Sequence, residues 1–147
     1  RTIPPPMMAT FDAPSREACS VGRGRTNTPL QALALMNDTL FVEAARQLAV
    51  RVSGETTIEG RVERAFACVL VRRPRPLELK LLMHSFLRSR ARFRANPELG
   101  RQLMSVGASP SGEAGGVGAG GAAVAEMAAL VTTCHVILNL DETVTRE

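Results

Sequence analysis

Hydrophobic residues recur at helical spacing along most of this chain, and one of the clearest stripes lies near residue 45. It repeats at i, i+4, i+7 and i+11 in the residues Phe41, Ala45, Leu48 and Val52. The polar residues of the same segment fall elsewhere around the axis, at Glu43, Arg46 and Gln47. Asp38 can cap such a helix at its start, and Ser53-Gly54 can end it. The pattern therefore predicts an amphipathic helix between these two signals.

Two more amphipathic stripes follow and predict a helical hairpin. The first comprises Ile58, Val62, Ala65, Phe66 and Val69, and the second comprises Leu79, Leu82, Met83, Phe86 and Phe93. Thr56 and Glu59 have the spacing of a capping box before the first stripe. The prolines of "RRPRP", residues 72–76, end the first helix and start the next one at Pro76. So short a connection predicts antiparallel packing, and a shorter helix is expected from Pro97 to about Ser105.

A glycine-rich segment separates these helices from a strongly apolar one. Residues 107–121 predict a flexible loop, because they bring too little apolar surface to offset the entropy of ordering the chain. Residues 122–138 are apolar almost all round, interrupted mainly by Glu126, Thr132, Thr133 and His135. This length and these polar groups favour a central buried helix over a membrane span. The polar ending, "NLDETVTRE", is expected at the surface.

The first 27 residues show no helical period and predict an extended arm. Pro4, Pro5 and Pro6 favour polyproline II, and Pro14 interrupts any helix around it. The arm nevertheless contains apolar residues, so we expect it to lie against the helices. After it, Thr28 and Pro29 form a good N-cap and first helical position. The apolar face of the helix they start is expected to comprise Leu30, Leu33, Ala34 and Met36. Together these elements predict one all-α domain over residues 1–147, a helical bundle with an extended N-terminal arm and a Gly-rich loop before the last helix.

The composition limits which residues can build the core and which partners the chain can bind. Aromatic residues make up 3% of the chain, so the core must be built from Ala, Leu, Val and Met. The net charge is +4, and Lys80 is the only lysine among the 18 basic residues. We interpret the excess of arginine over lysine as a general preference in composition and not as a surface for phosphate or carboxylate partners, although guanidinium groups bind both. Few aromatic platforms accompany the arginines, so no nucleic-acid partner is predicted.

No catalytic constellation is visible, and the enzyme question stays open. Gly116, Gly118 and Gly121 match G-x-G-x-x-G without the preceding strand that a dinucleotide site needs. The three cysteines and two histidines have no metal-ligand spacing, so neither a metal nor a cofactor is predicted in this chain. Nearby arginines would favour the thiolate of Cys19, but we prefer a packed structural thiol because no His is local to it.

The candidate motif lies where the arm meets the first strong helix, and two interpretations of it stay open. In the first, polar groups such as Asn27, Thr28 and Gln31 satisfy backbone groups at that junction. In the second, the motif lines one wall of an active site completed by upstream domains. The candidate residues of the motif are Asp12, Arg16, Cys19, Arg25, Thr26, Asn27, Thr28, Gln31 and Asn37.

The string "MMATFDAPSREACSVGRGRTNTPLQALALMND", Met7 to Asp38, resembles a family of C-terminal domains of unknown function that accompany cytochrome-c-type modules in planctomycete proteins. The segments "RRPRPLELK" and "LNLDETVTRE" resemble the same family. Departures include Arg75 where a capping Thr is common, and Thr143 in place of an aromatic residue.

The resemblance implies a larger exported protein, periplasmic or at the cell surface, of which this chain is the C-terminal module. It implies a structural or interaction role, with upstream domains of the same polypeptide as partners, and haem only in those domains. The alternative function is one wall of an active site in a polysaccharide-degrading or redox protein, completed by upstream domains. A further alternative, which rests on the arginine pattern and not on the resemblance, is nucleic-acid binding.

Overall fold

The computed structural model describes residues 6–13, 26, 28–108 and 120–144, and over these residues the regular structure is entirely helical. The all-α prediction is confirmed. In chain order the helices are α1 (Pro6–Thr10), α2 (Pro29–Asn37), α3 (Thr39–Val52), α4 (Ile58–Leu70), α5 (Pro76–Ala95), α6 (Pro97–Met104), α7 (Gly121–Leu138) and α8 (Asp141–Val144). The greater part of the Gly-rich segment, residues 109–119, lies outside the described residues.

Helix α7 forms the centre of the bundle, as its all-round apolar sequence predicts. It contacts α3, α4, α5, α6 and α8. Its small residues Ala125, Ala128 and Ala129 are fully buried, which lets the neighbouring helices approach closely. At Gly100 of α6, an added Cβ would lie 3.2 Å from Cγ1 of Val124, so this crossing leaves little room for a side chain.

Within the described residues, α7 alone has the length and mean hydropathy that crossing a membrane requires. Of its 18 residues, 56% are buried inside the domain. The core helix of a globular domain has the same properties, and the packing of five other helices around α7 accounts for its apolar sequence.

Most of the predicted helix boundaries are confirmed, and one cap is shifted. Helix α2 begins after Thr28, α3 begins after Asp38, and α5 begins at Pro76. The Asp38 carboxylate accepts a hydrogen bond from the Leu40 N–H at 2.8 Å. The capping box predicted from Thr56 to Glu59 is wrong by one residue. The N-cap is Thr57, whose hydroxyl accepts from the Gly60 N–H at 3.0 Å.

The burial of Arg46 shows that the predicted orientation of α3 is wrong. We expected this arginine away from the apolar face, but its side chain is 1% exposed. The buried face comprises Ala45, Arg46, Ala49 and Val52, whereas Phe41 and Leu48 are half-buried. The face is therefore rotated about the helix axis relative to the prediction. One Arg46 Nη lies 3.9 Å from a Glu43 carboxylate oxygen, so an opposite charge one turn away accompanies the buried guanidinium.

Helix α2 is oriented opposite to the prediction. Its buried residues are Gln31 and Leu35, whereas the predicted core residues Leu30, Leu33 and Met36 are 57–60% exposed. Leu30, Leu33 and Met36 do share one side of the helix, as their spacing predicts, whereas Ala34, predicted in the same face, is half-buried. The side of the three large residues faces away from the bundle, and the side with Gln31 and Leu35 faces toward it.

The arm is not extended throughout, because α1 forms one helical turn within it. Pro6 is tolerated there, since the first residue of a helix has no intrahelical partner for its N–H. The turn ends in a Schellman motif: the Ala13 N–H bonds to the Met8 carbonyl at 2.9 Å, and the Asp12 N–H bonds to the Ala9 carbonyl at 3.3 Å. Asp12 has the left-handed conformation, φ 57°, that this motif requires.

The C-terminus of α4 has the same left-handed geometry at an unfavourable residue. Val71 has φ 58° and ψ 23°, and its N–H bonds to the Ala67 carbonyl at 3.0 Å. A β-branched residue is strained in this region of backbone space. The Val71 side chain is exposed, so packing does not offset the strain. The left-handed conformation of Val71 turns the chain sharply just before Arg72.

Replacing Val71 with glycine tests this strain. We expect Val71→Gly to raise the free energy of unfolding by about 0.5–1 kcal/mol, because relief of the left-handed strain exceeds the entropic cost of a glycine. Chemical denaturation measures the change. The control Val71→Ala keeps a Cβ atom and should gain less. A Val71→Gly protein less stable than the parent would contradict the interpretation.

Candidate functional site

The buried amide of Gln31 joins the arm to α2. Its side chain is 4% exposed. The Oε1 atom accepts from the Thr28 N–H at 2.9 Å, and the Thr28 hydroxyl accepts from the Gln31 N–H at 3.3 Å, which completes a capping box. The Nε2 group donates to the Thr10 carbonyl at 2.8 Å and to the Thr26 hydroxyl at 3.1 Å. One side chain thus caps α2 and holds the arm against it.

Asp12 completes this cluster at the turn that ends α1. Its Oδ2 atom accepts from the Thr26 hydroxyl at 2.7 Å and from the Thr26 N–H at 2.8 Å, with a longer contact of 3.4 Å to Gln31 Nε2. The two bonds from Thr26, first the hydroxyl and then the backbone N–H, hold the pKa of Asp12 below its ordinary value, against the opposing effect of burial. Asp12 is therefore a carboxylate acceptor at neutral pH and a poor general acid.

The structure brings together four of the nine predicted motif residues: Asp12, Thr26, Thr28 and Gln31. Asn37 does not join them. It lies at the other end of α2, where its Nδ2 group donates to the Leu33 carbonyl at 2.9 Å. The remaining motif residues, Arg16, Cys19, Arg25 and Asn27, lie outside the described residues.

The chemistry of the four clustered residues is that of an anchor. The Gln31 amide has only one orientation that pairs Oε1 with an N–H and Nε2 with a carbonyl, so the network specifies its rotamer fully. The described polar atoms bond mainly to one another. An active-site wall remains the second interpretation, and it would have to draw its reactive groups from beyond this cluster.

A second polar cluster centres on Arg72, just after the strained Val71. Its guanidinium binds the Glu78 carboxylate in a bidentate manner, with both N···O distances 2.9 Å. It binds the Glu142 carboxylate through Nε at 2.8 Å and Nη2 at 2.6 Å. The guanidinium carbon also lies 4.8 Å from the centre of the Phe66 ring. Arg72 therefore joins the start of α5 to α8, across 70 residues of sequence.

The electrostatics of this cluster favour its charged form. Hydrogen bonds from Arg72, and next the Arg75 N–H at 2.6 Å, lower the pKa of Glu78 to about 2. Hydrogen bonds from Arg72 also lower the pKa of Glu142, and those with Glu142 and Glu78 raise the pKa of Arg72. Arg75 offers no acceptor at the N-cap of α5, but Glu78 reaches back to its N–H and replaces half of a capping box.

His135 links α7 to the C-terminal end of α2. Its Nε2 atom lies 3.1 Å from the Leu35 carbonyl, and because a carbonyl only accepts, Nε2 must carry the proton. The Leu35 carbonyl is one of the last four in α2, which have no partner within the helix. His135 thus bonds to the end of α2 opposite Gln31.

The other groups that could bind a metal ion or act as nucleophiles form no recognisable site in the part of the chain that the structure describes. No group of three or more His, Cys, Asp or Glu residues there could hold a metal ion. Burial raises the pKa of the Cys134 thiol to about 12, so it is not a thiolate at neutral pH. Cys68 is a free, exposed thiol on α4.

Sequence reasoning named Gln31 as a junction residue that satisfies backbone groups, but it missed three finer features: the capping box of Gln31, the bond of Glu78 to the Arg75 N–H, and the pairing of Arg72 with Glu142. The first two had local signals. The segment Thr28-Pro29-Leu30-Gln31 fits T-x-x-Q, a capping box that assigns Gln31 to the helix start. Glu78 occupies the third position of α5, where a carboxylate can reach back to the N-cap. The pairing of Arg72 with Glu142 had no local signal, because the two are joined only by the tertiary fold.

Among known protein families, the model described as "PSD1: Protein of unknown function (DUF1553)" matches residues 1–86. The match covers more than half of the chain and includes the arm, the Gln31 cluster, Arg72 and Glu78. The segment Leu138–Glu147 lies beyond it. No curated protein and no solved structure matches this chain.

Replacing Gln31 with alanine tests the anchor. We expect Gln31→Ala to lower the free energy of unfolding by about 2 kcal/mol, because it removes a cap and leaves the Thr10 carbonyl without its amide donor. Urea denaturation measures the loss. The matched control is Gln47→Ala, at an exposed position of α3, which should change stability by less than about 0.5 kcal/mol. Equal effects of the two substitutions would contradict the anchor.

Acid should weaken the Arg72 cluster. The folded-state pKa of Glu78 lies below its ordinary value, so its stabilising contribution is complete above about 4.5 and is lost as the pH falls toward about 2. We expect the urea midpoint of Glu78→Gln to fall less steeply with pH across this range than that of the parent. The control is Glu63→Gln, at an exposed position of α4 that makes no salt bridge to a described residue. Parallel pH profiles for the parent and Glu78→Gln would exclude the linkage.

Proposed function

This chain belongs to the PSD1 family of proteins of unknown function (DUF1553), and we propose that it is an interaction module that docks on upstream domains of the same polypeptide. The docking surface is the outer face of α2, formed by Leu30, Leu33 and Met36. We call it the α2 face.

The α2 face carries the proposal because it reverses the usual pattern of a surface helix. Three large apolar side chains are 57–60% exposed, while the opposite side of the same helix buries the Gln31 amide together with Leu35. Scattered exposed leucines are ordinary in proteins, but three on one face of a nine-residue helix form a contiguous apolar surface. Met8 of α1 and Leu40 of α3 are also large, exposed apolar residues, and both helices contact α2.

The position of α1 supports the preceding polypeptide as the partner. Helix α1 contacts α2, and the cluster of Gln31, Thr10 and Asp12 fixes that arrangement. Any domain that precedes α1 in a longer polypeptide is therefore tethered close to the α2 face. Tethering raises the effective concentration of such a domain to the millimolar range for a short flexible linker, so a modest apolar interface suffices.

Finer features of this proposal rest on the resemblance of Met7–Asp38 to domains that accompany cytochrome-c-type modules. On that basis we infer that the longer polypeptide is exported and that any haem is held by its upstream domains. Fractionation of cells that produce the full-length protein, followed by haem staining, tests both inferences. Protein found only in the cytoplasm, without haem, would contradict them.

Replacing Leu33 with glutamate tests the docking surface. The upstream region is produced separately, and its association with the 147-residue chain is measured by calorimetry. We expect Leu33→Glu to weaken association at least about tenfold, because burial of one leucine contributes about 1.5–3 kcal/mol and a charge cannot replace it.

The matched control is Leu81→Glu on α5. Leu81 is 61% exposed and Leu33 is 57% exposed, so both variants should fold with little change in stability. Association that Leu33→Glu leaves unchanged would overturn the proposal. The proposal would also be overturned if the chain associates with itself and Leu33→Glu abolishes that self-association, because the occupant of the α2 face would then be a second copy.

A further inference from the structure

A cleft of about 460 Å³ lies where α2, α3, α5, α6 and α7 meet. Its floor is apolar and includes Val42, Phe93, Leu103 and Val131. Its polar lining residues are Arg92, Gln102, Thr132 and His135. The volume falls within the range of small-molecule sites in proteins, about 300–1,000 Å³. None of the predicted motif residues lines this cleft.

The donors of the cleft outnumber its acceptors. Arg92 is exposed and makes no salt bridge to any described carboxylate, and the Gln102 side chain forms no hydrogen bond with a described group. Two other lining residues are already engaged: the Thr132 hydroxyl donates to the Ala128 carbonyl at 2.9 Å, and His135 Nε2 binds the Leu35 carbonyl. No acidic residue belongs to the lining. The polar part of the cleft is therefore cationic and complementary to an anionic group.

We propose that this cleft binds a linear aliphatic monocarboxylate, with the carboxylate on Arg92 and Gln102 and the chain on the apolar floor. The planar guanidinium pairs well with a carboxylate. Half-buried aliphatic side chains such as Val42 and Leu103 gain from covering by methylene groups. The Leu35–His135 hydrogen bond holds the α2 end of the cleft.

Titration of the 147-residue chain with sodium octanoate tests the proposal, with binding followed by methyl NMR and calorimetry. We expect saturable binding to one site, with shifts concentrated at Val42 and Val131. Hexanoate should bind about fifteenfold more weakly, because it lacks two methylene groups and each buried methylene contributes about fourfold. Octanol, which lacks the charge, and acetate, which lacks the chain, should both bind much more weakly than octanoate.

The variant Arg92→Gln should weaken octanoate binding at least about tenfold. Its matched control is Arg88→Gln, at an exposed position one turn earlier on α5 that does not line the cleft, and it should bind as the parent does. Melting temperatures of both variants report whether the fold is intact. No saturable binding of octanoate, equal binding of octanol, or equal losses in the two variants would each overturn the proposal.

This test is independent of the docking proposal, because it uses the chain without an upstream region. Met36 contributes to both the cleft lining and the α2 face, so the two surfaces adjoin. Leu33 does not line the cleft. Leu33→Glu should therefore leave octanoate affinity unchanged even where it abolishes docking, and a loss of octanoate binding in this variant would contradict the separation of the two sites.

Discussion

The fold depends on the burial of α7. Helices α3, α4, α5 and α6 cover this apolar helix, and its alanines allow them to lie close to its axis. The elements at the periphery are attached in part by apolar contacts, such as the burial of Leu35 of α2 and the contact of the Phe11 ring with Phe41, 6.4 Å between centroids. Directional hydrogen bonds add to these contacts. The Gln31 amide attaches the arm and α2, His135 attaches the other end of α2, and Arg72 attaches α8.

This attachment explains why α2 is oriented opposite to the usual pattern. A helix held by an amide at its start and an imidazole near its end can direct its polar groups inward. Buried polar groups cost free energy unless they are hydrogen-bonded, and the Gln31 amide meets that condition on both of its atoms. Leu30, Leu33 and Met36 are then left for the outer side, whereas Leu35 is buried with Gln31. The exposed leucines follow from the same constraint that satisfies Gln31.

The sequence allowed the class, the helix boundaries and the buried role of α7 to be predicted, because periodicity and caps are local signals. It did not reveal which side of α2 faces inward. Periodicity shows that Leu30 and Leu33 share a face, but the neighbours that cover a face come from the tertiary fold. Arg46 was misplaced for the same reason, since the buried face of α3 is rotated by its packing. Within the candidate motif, residue types identified the junction, whereas the bond between Thr26 and Asp12 needed the turn geometry of α1.

Hydrogen bonds at both ends of α2 also determine how it can recognise a partner. A helix packed only by apolar contacts could rotate or detach when another apolar surface approaches. Near one end of α2, Gln31 donates to the Thr10 carbonyl of α1, and near the other end His135 binds the Leu35 carbonyl, so the outer face has a defined orientation before docking. Such preorganisation lowers the conformational entropy that association would otherwise cost. The same two bonds keep Met36 at the edge of the cleft, so a ligand there and a partner on α2 would act on one rigid helix rather than on two independent surfaces.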